Sequence, residues 1–333
     1  MKKFAIKLIT YLAAIAVFDV LLCAIIDPFN VMHTEHIRDN GVQPNNNYIK
    51  MSYILHHPDR FDSFVFGSSR VGNIHVENIP DVRCYNMTCS QGTPKEHLDN
   101  IRTLISAGIV PKKLFIGLDS LSYTMDPARH YTQPIRSPYE YLAENRLEFV
   151  KLYFDPAMVI DAVMEVTKGH TPTEGYAERY YRYGWDTDYG YETSYDFDHA
   201  SPSMGGNYRL EETLAEIRDL VRLCQEHGVE LIVFTNPMYS ITYRASLEKN
   251  YLEFLEELAQ ITPYYNFSGY NAVTTDCANY IDSSHYTAEV GDMLIDCMCR
   301  QARYEELYQD GFGVYVTEDT VDGLMAILRA QSP

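Results

Sequence analysis

The chain has 333 residues, of which 46% are hydrophobic, and its formal net charge is −19. This length suits one large α/β domain or two small ones, with enough apolar residues for a substantial core. The negative charge argues against nucleic acid as a partner, because phosphates need basic surfaces. It also disfavours strongly anionic lipids and polymers.

Residues 1–27 are predicted to form a transmembrane signal anchor. Lys2, Lys3 and Lys7 stand before the apolar run Leu8–Ile26, which has about the length needed to span a bilayer. The lysines before the run predict a single-pass protein with a cytoplasmic N-terminus and an extracytoplasmic main domain in the cell membrane. A cleaved signal peptide is the alternative, but its small-x-small site at Ala14–Ala16 leaves a short apolar core.

Polar residues in and near the span leave further questions open. Asp19 would cost about 3 kcal/mol if it faced lipid, so it either faces a partner membrane protein or is simply tolerated.

Beyond Cys23, six cysteines permit disulfides in an extracytoplasmic domain, although their pairing cannot be read from sequence. Cys297 and Cys299 have no matching second pair, and the histidines show no ligand spacing, so no metal or other cofactor is predicted.

Residues 28–47 read as a polar juxtamembrane linker, and residues 48–333 as the main domain. The predicted strands are Ser63–Gly67, Val82–Met87, Lys113–Leu118, Val229–Thr235 and Tyr264–Phe267. The predicted helices are Tyr48–His56, a capped helix from Thr93 to Gly108, Tyr139–Val150, Pro156–Thr167, Tyr208–His227, Ala245–Gln260 and Thr287–Arg303. Strand and helix alternate, which predicts an α/β fold: a three-layer αβα sandwich with a parallel, flavodoxin-like sheet.

Residues 122–206 interrupt this alternation and are predicted to be one large insertion. Within it, Tyr176–Phe197 holds seven tyrosines and Trp185 among acidic residues. A structureless loop of this length is improbable inside a compact domain. Its rings suit either binding of sugars or packing within the insertion, because tyrosine packs well with its hydroxyl in water.

Two short stretches carry the chemistry. Phe64–Arg70 is an apolar run that ends in Gly67-Ser68-Ser69, so Ser69 is expected at the carboxyl end of a buried strand, where open α/β sheets bind ligands. A serine nucleophile needs a base and a group that orients the base. Asp282 and His285, three residues apart before a helix, could supply both.

These stretches make the sequence resemble the SGNH/GDSL hydrolase superfamily. Gly67-Ser68-Ser69 corresponds to the family's Gly-Asp-Ser, and Asp282-Ser283-Ser284-His285 to its C-terminal Asp-x-x-His. With an N-terminal anchor, the chain is similar to the extracytoplasmic branch that includes DltD, of D-alanine transfer, and AlgJ and AlgX, of polysaccharide O-acetylation. The resemblance implies a catalytic triad of Ser69, Asp282 and His285.

The resemblance also implies three oxyanion donors, and here the match is incomplete. Gly92 is the first candidate for the second donor. Gln91 lies as close to the position of the family's glycine, and Ser90 or Asn86 could contribute. The third donor is an Asn in the family, but Asp119 stands in its place, and an ionised carboxylate can only accept.

Two further residues are candidates for the same edge of the sheet. Arg70 could bind an anionic substrate group, pair with Asp119, or only cap the sheet. Asn236, directly after the fourth strand, could line the cleft.

The sequence therefore predicts a membrane-anchored serine acyltransferase or esterase that transfers an acetyl or D-alanyl group to a glycan or polyol of the cell envelope. A polytopic membrane acyltransferase is the possible partner. The alternative is a non-catalytic scaffold or glycan-binding subunit of an envelope-polymer modification complex. A secreted lipase is a third possibility.

Overall fold

The computed structural model describes residues 2–184 and 195–331. The strands are β1 (Ser63–Phe66), β2 (Cys84–Asn86), β3 (Lys113–Leu118), β4 (Glu230–Thr235), β5 (Tyr264–Asn266) and β6 (Val314–Val316). The helices are α1 (Lys2–Ile26), α2 (Asn46–His56), α3 (Pro94–Ser106), α4 (Leu121–Thr124), α5 (Tyr139–Glu144), α6 (Arg146–Phe154), α7 (Pro156–Thr167), α8 (Tyr176–Tyr183), α9 (Leu210–His227), α10 (Ser240–Leu247), α11 (Tyr251–Ala259), α12 (Ala288–Arg300), α13 (Glu305–Gln309) and α14 (Val321–Ala330).

The described strands form one mixed, mostly parallel sheet in the order β2-β1-β3-β4-β5-β6. The first five strands are parallel and β6 is antiparallel to β5. The α/β class predicted from the alternation is therefore confirmed. The chain visits β2 on one side of β1 and then β3 on the other, so the residues after β1 lie at a switch point where α/β sheets bind ligands.

Local chemistry explains why several elements begin and end where they do. Thr93 and Glu96 form the predicted capping box, since the Thr93 N–H donates to the Glu96 carboxylate at 2.9 Å. Gly228 ends α9 in the left-handed region, at φ 67°. Every residue of β1 is buried, as its continuous apolar sequence predicts.

Some elements differ from expectation. In place of the predicted helix Ala245–Gln260 there are two helices, α10 and α11. The backbone of Asn250 between them adopts φ 60°, which cannot continue a right-handed helix. Tyr139–Val150 is likewise divided, at Asn145, between α5 and α6. Strand β6 and helix α14 were not predicted: β6 has three residues, too few for a periodic signal.

The chain divides into two compact units, residues 1–53 with 129–178, and residues 54–128 with 179–333. The first takes in the segment 28–47, expected to be a linker, which contributes the buried side chains Phe29, Val31 and Ile37. It also contains α1, the one described helix that is long and apolar enough to cross a membrane.

The second unit contains the sheet and the candidate site. Its core joins Val65 of β1, Phe115 of β3 and Phe234 of β4 to Leu294 and Ile295 of α12. These five side chains are at most 1% exposed. The strands that carry the candidate site therefore pack against α12 through this core.

Candidate active site

Ser69 lies directly beyond β1, where the chain turns into a short 3₁₀ segment, Ser69–Asn73. The turn is tight: a Cβ atom at Gly67 would lie 2.5 Å from Val71 Cγ1, so a side chain there would clash. Ser69 is half-buried while its neighbours Ser68 and Arg70 are buried. The turn therefore leaves Ser69 partly accessible to solvent.

The structure brings the three predicted triad residues together. Nε2 of His285 lies 2.8 Å from Oγ of Ser69, across 216 residues of sequence. On the other side of the ring, Nδ1 of His285 lies 2.9 Å from Oδ2 of Asp282. This is the order of contacts that a hydroxyl, a general base and an orienting carboxylate require.

A closed loop holds Asp282 and His285 in place. The Ile281 N–H donates to the His285 carbonyl at 2.8 Å, next to an antiparallel bridge between Tyr280 and Tyr286. The Asp282 carboxylate also accepts the backbone N–H of Ser284 at 2.7 Å. The imidazole thus projects from a short loop that is bonded at its base and at its tip.

Two residues that the sequence did not single out connect this loop to the rest of the unit. Asn73, at the end of the nucleophile turn, donates its amide to the Tyr286 carbonyl at 2.6 Å. Thr242, in α10, donates its hydroxyl to the Ser283 carbonyl at 2.8 Å. No local pattern marks either residue, because both bonds depend on contacts between distant parts of the chain.

The Asp282 carboxyl is adapted to stay ionised. Burial opposes its ionisation, but hydrogen bonds from His285 and from the Ser284 and His285 N–H groups lower its pKa below the ordinary value. An ionised Asp282 fixes the proton of His285 on Nδ1. Nε2 is then free to accept the proton of Ser69.

Asp119 occupies the centre of a buried polar network rather than the oxyanion position. Its carboxylate accepts from the Ser68 hydroxyl at 3.1 Å and the Asn236 amide at 2.9 Å. Its Oδ1 lies 2.6 Å from Nη1 of Arg70, and both side chains are inaccessible to solvent. Both Asp119 and Asn236 are buried, and Oδ1 of Asn236 accepts from the Tyr286 hydroxyl at 3.2 Å. The contact of Asp119 and Asn236 with substrate stays a prediction.

Arg70 takes the pairing role among its three predicted alternatives. Its Nη2 donates to the Ser203 carbonyl at 2.8 Å, while Nη1 contacts Asp119. Within residues 2–184 and 195–331, no acceptor meets hydrogen-bond geometry with the Nε–H or Nη1–H groups of Arg70, so the contact of Nη1 with Asp119 is an ion pair only. Arg70 thus neutralises Asp119 beneath the nucleophile rather than reaching into solvent.

Two of the oxyanion candidates already have hydrogen-bond partners. The Asn86 amide donates to the Val71 and Ile74 carbonyls at 2.7 and 3.2 Å. The Gly92 N–H is committed to the Cys89 carbonyl at 3.2 Å. Gly92 is needed for close packing instead, since a Cβ there would lie 2.9 Å from the Gly67 carbonyl oxygen.

The remaining donor candidates are backbone groups. Ser90 and Gln91 lie half-buried in the turn after β2, and Gln91 adopts φ 55°. That turn is bonded to the nucleophile turn, since the Thr88 hydroxyl donates to the Ser68 carbonyl at 2.9 Å. Across the described chain, the N–H groups of Ser69 and Gln91 donate to no backbone or side-chain acceptor.

Aromatic rings adjoin the Asp282–His285 loop. Phe197 packs on Tyr239 with ring centroids 5.2 Å apart, and Tyr239 packs on Tyr280 at 5.1 Å. Of the predicted aromatic stretch Tyr176–Phe197, residues 185–194 lie outside the described residues.

A separate groove of about 580 Å³, lined by Lys113 and Glu230, lies where β3 and β4 begin, at the other end of the strands from Ser69.

The residues that the structure describes contain no cluster of three or more potential metal ligands. Neither a scan against protein-family models nor a search of curated proteins finds a match to this chain. The sequence motifs and the geometry above therefore carry the functional argument.

Proposed function

We propose that the chain is a serine-dependent acyltransferase or esterase. The observation that carries the proposal is the chain of contacts from Ser69 Oγ through His285 to Asp282, at 2.8 and 2.9 Å. Serine is a weak nucleophile without a base, and this arrangement supplies one. Ser69 is half-buried and so remains partly accessible to solvent.

In the proposed reaction, Ser69 Oγ attacks the carbonyl carbon of an acyl donor while His285 Nε2 takes the hydroxyl proton. The tetrahedral intermediate collapses, His285 returns the proton to the leaving group, and the acyl group remains as an ester on Ser69. An acceptor hydroxyl then gives its proton to His285 and attacks this ester; the second tetrahedral intermediate collapses, and His285 returns the proton to Ser69 Oγ as the serine leaves. Water as the acceptor makes the same steps a hydrolysis.

More particularly, we infer an extracytoplasmic SGNH-type protein similar to DltD, AlgJ and AlgX. Three features support this assignment: the serine directly follows β1, the Asp-x-x-His loop precedes α12, and the sheet order places β1 between β2 and β3. In this proposal α1 anchors the protein in the cell membrane, and Lys2, Lys3 and Lys7 keep its N-terminus in the cytoplasm.

The proposed acyl group is acetyl or D-alanyl, and the proposed acceptor is a hydroxyl of an envelope glycan or polyol. The net charge of −19 favours a glycan over a strongly anionic polymer such as teichoic acid. The rings of Phe197 and Tyr239 beside the Asp282–His285 loop are suited to sugar rings. A polytopic membrane acyltransferase is the proposed source of the acyl group.

Labelling with a serine-reactive fluorophosphonate tests the proposal directly. We expect the detergent-solubilised full chain to be labelled, and Ser69→Ala and His285→Ala to lose the label. Ser240→Ala is the matched control, because Ser240 is a half-buried serine that opens α10 on the same side of the sheet. Unchanged labelling of Ser69→Ala would refute the nucleophile.

A non-catalytic scaffold is the second candidate, and Asp119 is the observation that favours it. A carboxylate stands where the resemblance implies an Asn donor, and the loss of one oxyanion donor costs about a hundredfold or more in rate. A scaffold would show no labelling at Ser69 while still binding glycan. The fluorophosphonate experiment separates the two candidates.

A further inference from the structure

Exposed apolar side chains concentrate on two consecutive helices of the first unit, α6 and α7. Outside α1, the large apolar side chains exposed in the described residues include Leu147, Val150, Met158, Ile160 and Met164. The others are scattered along the chain. Such a cluster on consecutive helices marks an interaction surface, whereas single exposed apolar residues do not.

The same two helices pack against the C-terminal part of α1. Cys23 is 2% exposed and belongs to one core cluster with Leu152 of α6 and Val159 of α7. Asp19 lies one turn before Cys23, on the same face of α1, and is half-buried. By contrast, Leu21 and Ile25 of α1 are exposed.

The packing sets the depth of α6 and α7. Cys23 lies three residues before the end of α1 and Asp19 seven, which at the rise of an α-helix is about 5 and 10 Å along its axis. Because α6 and α7 pack against Cys23, they cannot stand clear of a bilayer that α1 spans. Peripheral helices bury their apolar faces to this same depth, about 5–10 Å.

The exposed surface of α7 includes an apolar stripe. Ile160 and Met164 are four residues apart and share one face, and they are 53% and 55% exposed. Asp161 and Glu165 flank this face, with Glu165 paired to Lys168. An apolar stripe with charges along its side suits acyl chains on one side and headgroups on the other.

We propose that α6 and α7 are embedded in the membrane, in the leaflet that the C-terminal end of α1 enters, with Leu147, Val150, Ile160 and Met164 against lipid acyl chains. The anchor is then a three-helix element rather than a single span. Lipid is favoured as the occupant because α6 and α7 pack against α1, whose exposed side chains Leu21 and Ile25 lie against lipid if α1 spans the membrane. The proposal rests on the proposed membrane anchor and not on the catalytic proposal.

Depth-dependent fluorescence quenching tests the proposal. The sequence has a single tryptophan, so a Trp185→Phe background allows one reporter at a time: Met164→Trp on α7 and, independently, Leu147→Trp on α6. The full chain is placed in nanodiscs, one copy each, with lipids that carry a nitroxide near the headgroup or deep in the acyl chain. We expect blue-shifted emission and about twofold quenching, strongest with the shallow nitroxide.

Val110→Trp is the control, because Val110 is also an exposed apolar residue but lies in the second unit. It should respond to aqueous acrylamide rather than to nitroxide lipids. Emission from both reporters as red-shifted and as accessible to acrylamide as that of the control would overturn the proposal. Blue-shifted emission without nitroxide quenching would also overturn it, in favour of a protein partner on this surface.

Discussion

Arg70 and Asp119 form a fully buried ion pair directly beneath the nucleophile turn, with Nη1 and Oδ1 2.6 Å apart. Because Asp119 also accepts from the Ser68 hydroxyl, the pair fixes the residue next to Ser69. A buried pair adds little net stability when intact, but removal of one partner leaves an uncompensated charge in the interior.

We therefore expect Arg70→Met to lower the free energy of unfolding by about 3–5 kcal/mol. Urea denaturation of the full chain in detergent measures this loss. The double variant Arg70→Met with Asp119→Leu should recover most of it, because no buried charge remains. Arg222→Met is the control, since Arg222 pairs with Asp219 on the surface and should cost less than about 1 kcal/mol. Equal losses at the two arginines would contradict the argument.

Asp282→Asn tests the orienting role of the carboxylate. The Asn oxygen can still accept the N–H groups of Ser284 and His285, so the loop should remain folded. The charge and the fixed tautomer of His285 are lost, and we expect kcat on an activated acetyl ester to fall by about 10³-fold or more.

The matched control for that variant is Asp276→Asn. Asp276 accepts the Ala278 N–H in a neighbouring turn but contacts no triad residue. Turnover by this variant should equal that of the unmodified chain. If Asp282→Asn retained full turnover, a catalytic role for the Asp282–His285 contact would be untenable.

Buried His97 makes stability depend on pH. Burial lowers the pKa of His97 to about 4, and the nearby Glu96 and Asp119 only partly oppose this. Between this value and the ordinary pKa of about 6.5, the unfolded chain binds more protons than the folded one. The contribution is therefore fully present above pH of about 6.5 and is lost as the pH falls towards 4.

We expect the free energy of unfolding to decline by up to about 3 kcal/mol over this range. His97→Gln should flatten that dependence, because Gln does not titrate. Urea denaturation at a series of pH values measures both chains. A slope unchanged in His97→Gln would show that other groups cause the acid sensitivity.

Gly92→Ala tests the packing role assigned to Gly92. The added Cβ would lie 2.6 Å from Cys89 Sγ, 2.8 Å from His97 Cε1 and 2.9 Å from the Gly67 carbonyl oxygen. We expect a loss of about 1–3 kcal/mol in stability, with weaker fluorophosphonate labelling as the nucleophile turn shifts. Gly206→Ala is the control, because nothing lies within 4 Å of its added Cβ. If Gly92→Ala changed neither the stability nor the labelling, the turn after β2 would be able to accommodate the added Cβ.

Features that depend on local pattern can be read from the sequence alone. The continuous apolar run before Gly67 marks β1, and the Thr93–Glu96 capping box marks the start of α3. The apolar length of α1 is likewise a local property. The pairing of Ser69 with Asp282 and His285 was predicted from the resemblance that the two short motifs carry, and not from local pattern alone.

The hydrogen-bond partners of the residues at the candidate site become known only from the folded chain. Asp119 accepts from Ser68 and Asn236, and Asn73 donates to the Tyr286 carbonyl, because strands and loops far apart in sequence converge at one edge of the sheet. Likewise, only the packing of Leu152 and Val159 against Cys23 shows which side chains of α6 and α7 are buried. Hydrogen bonds and burial of this kind are set by long-range contacts, which no local spacing encodes.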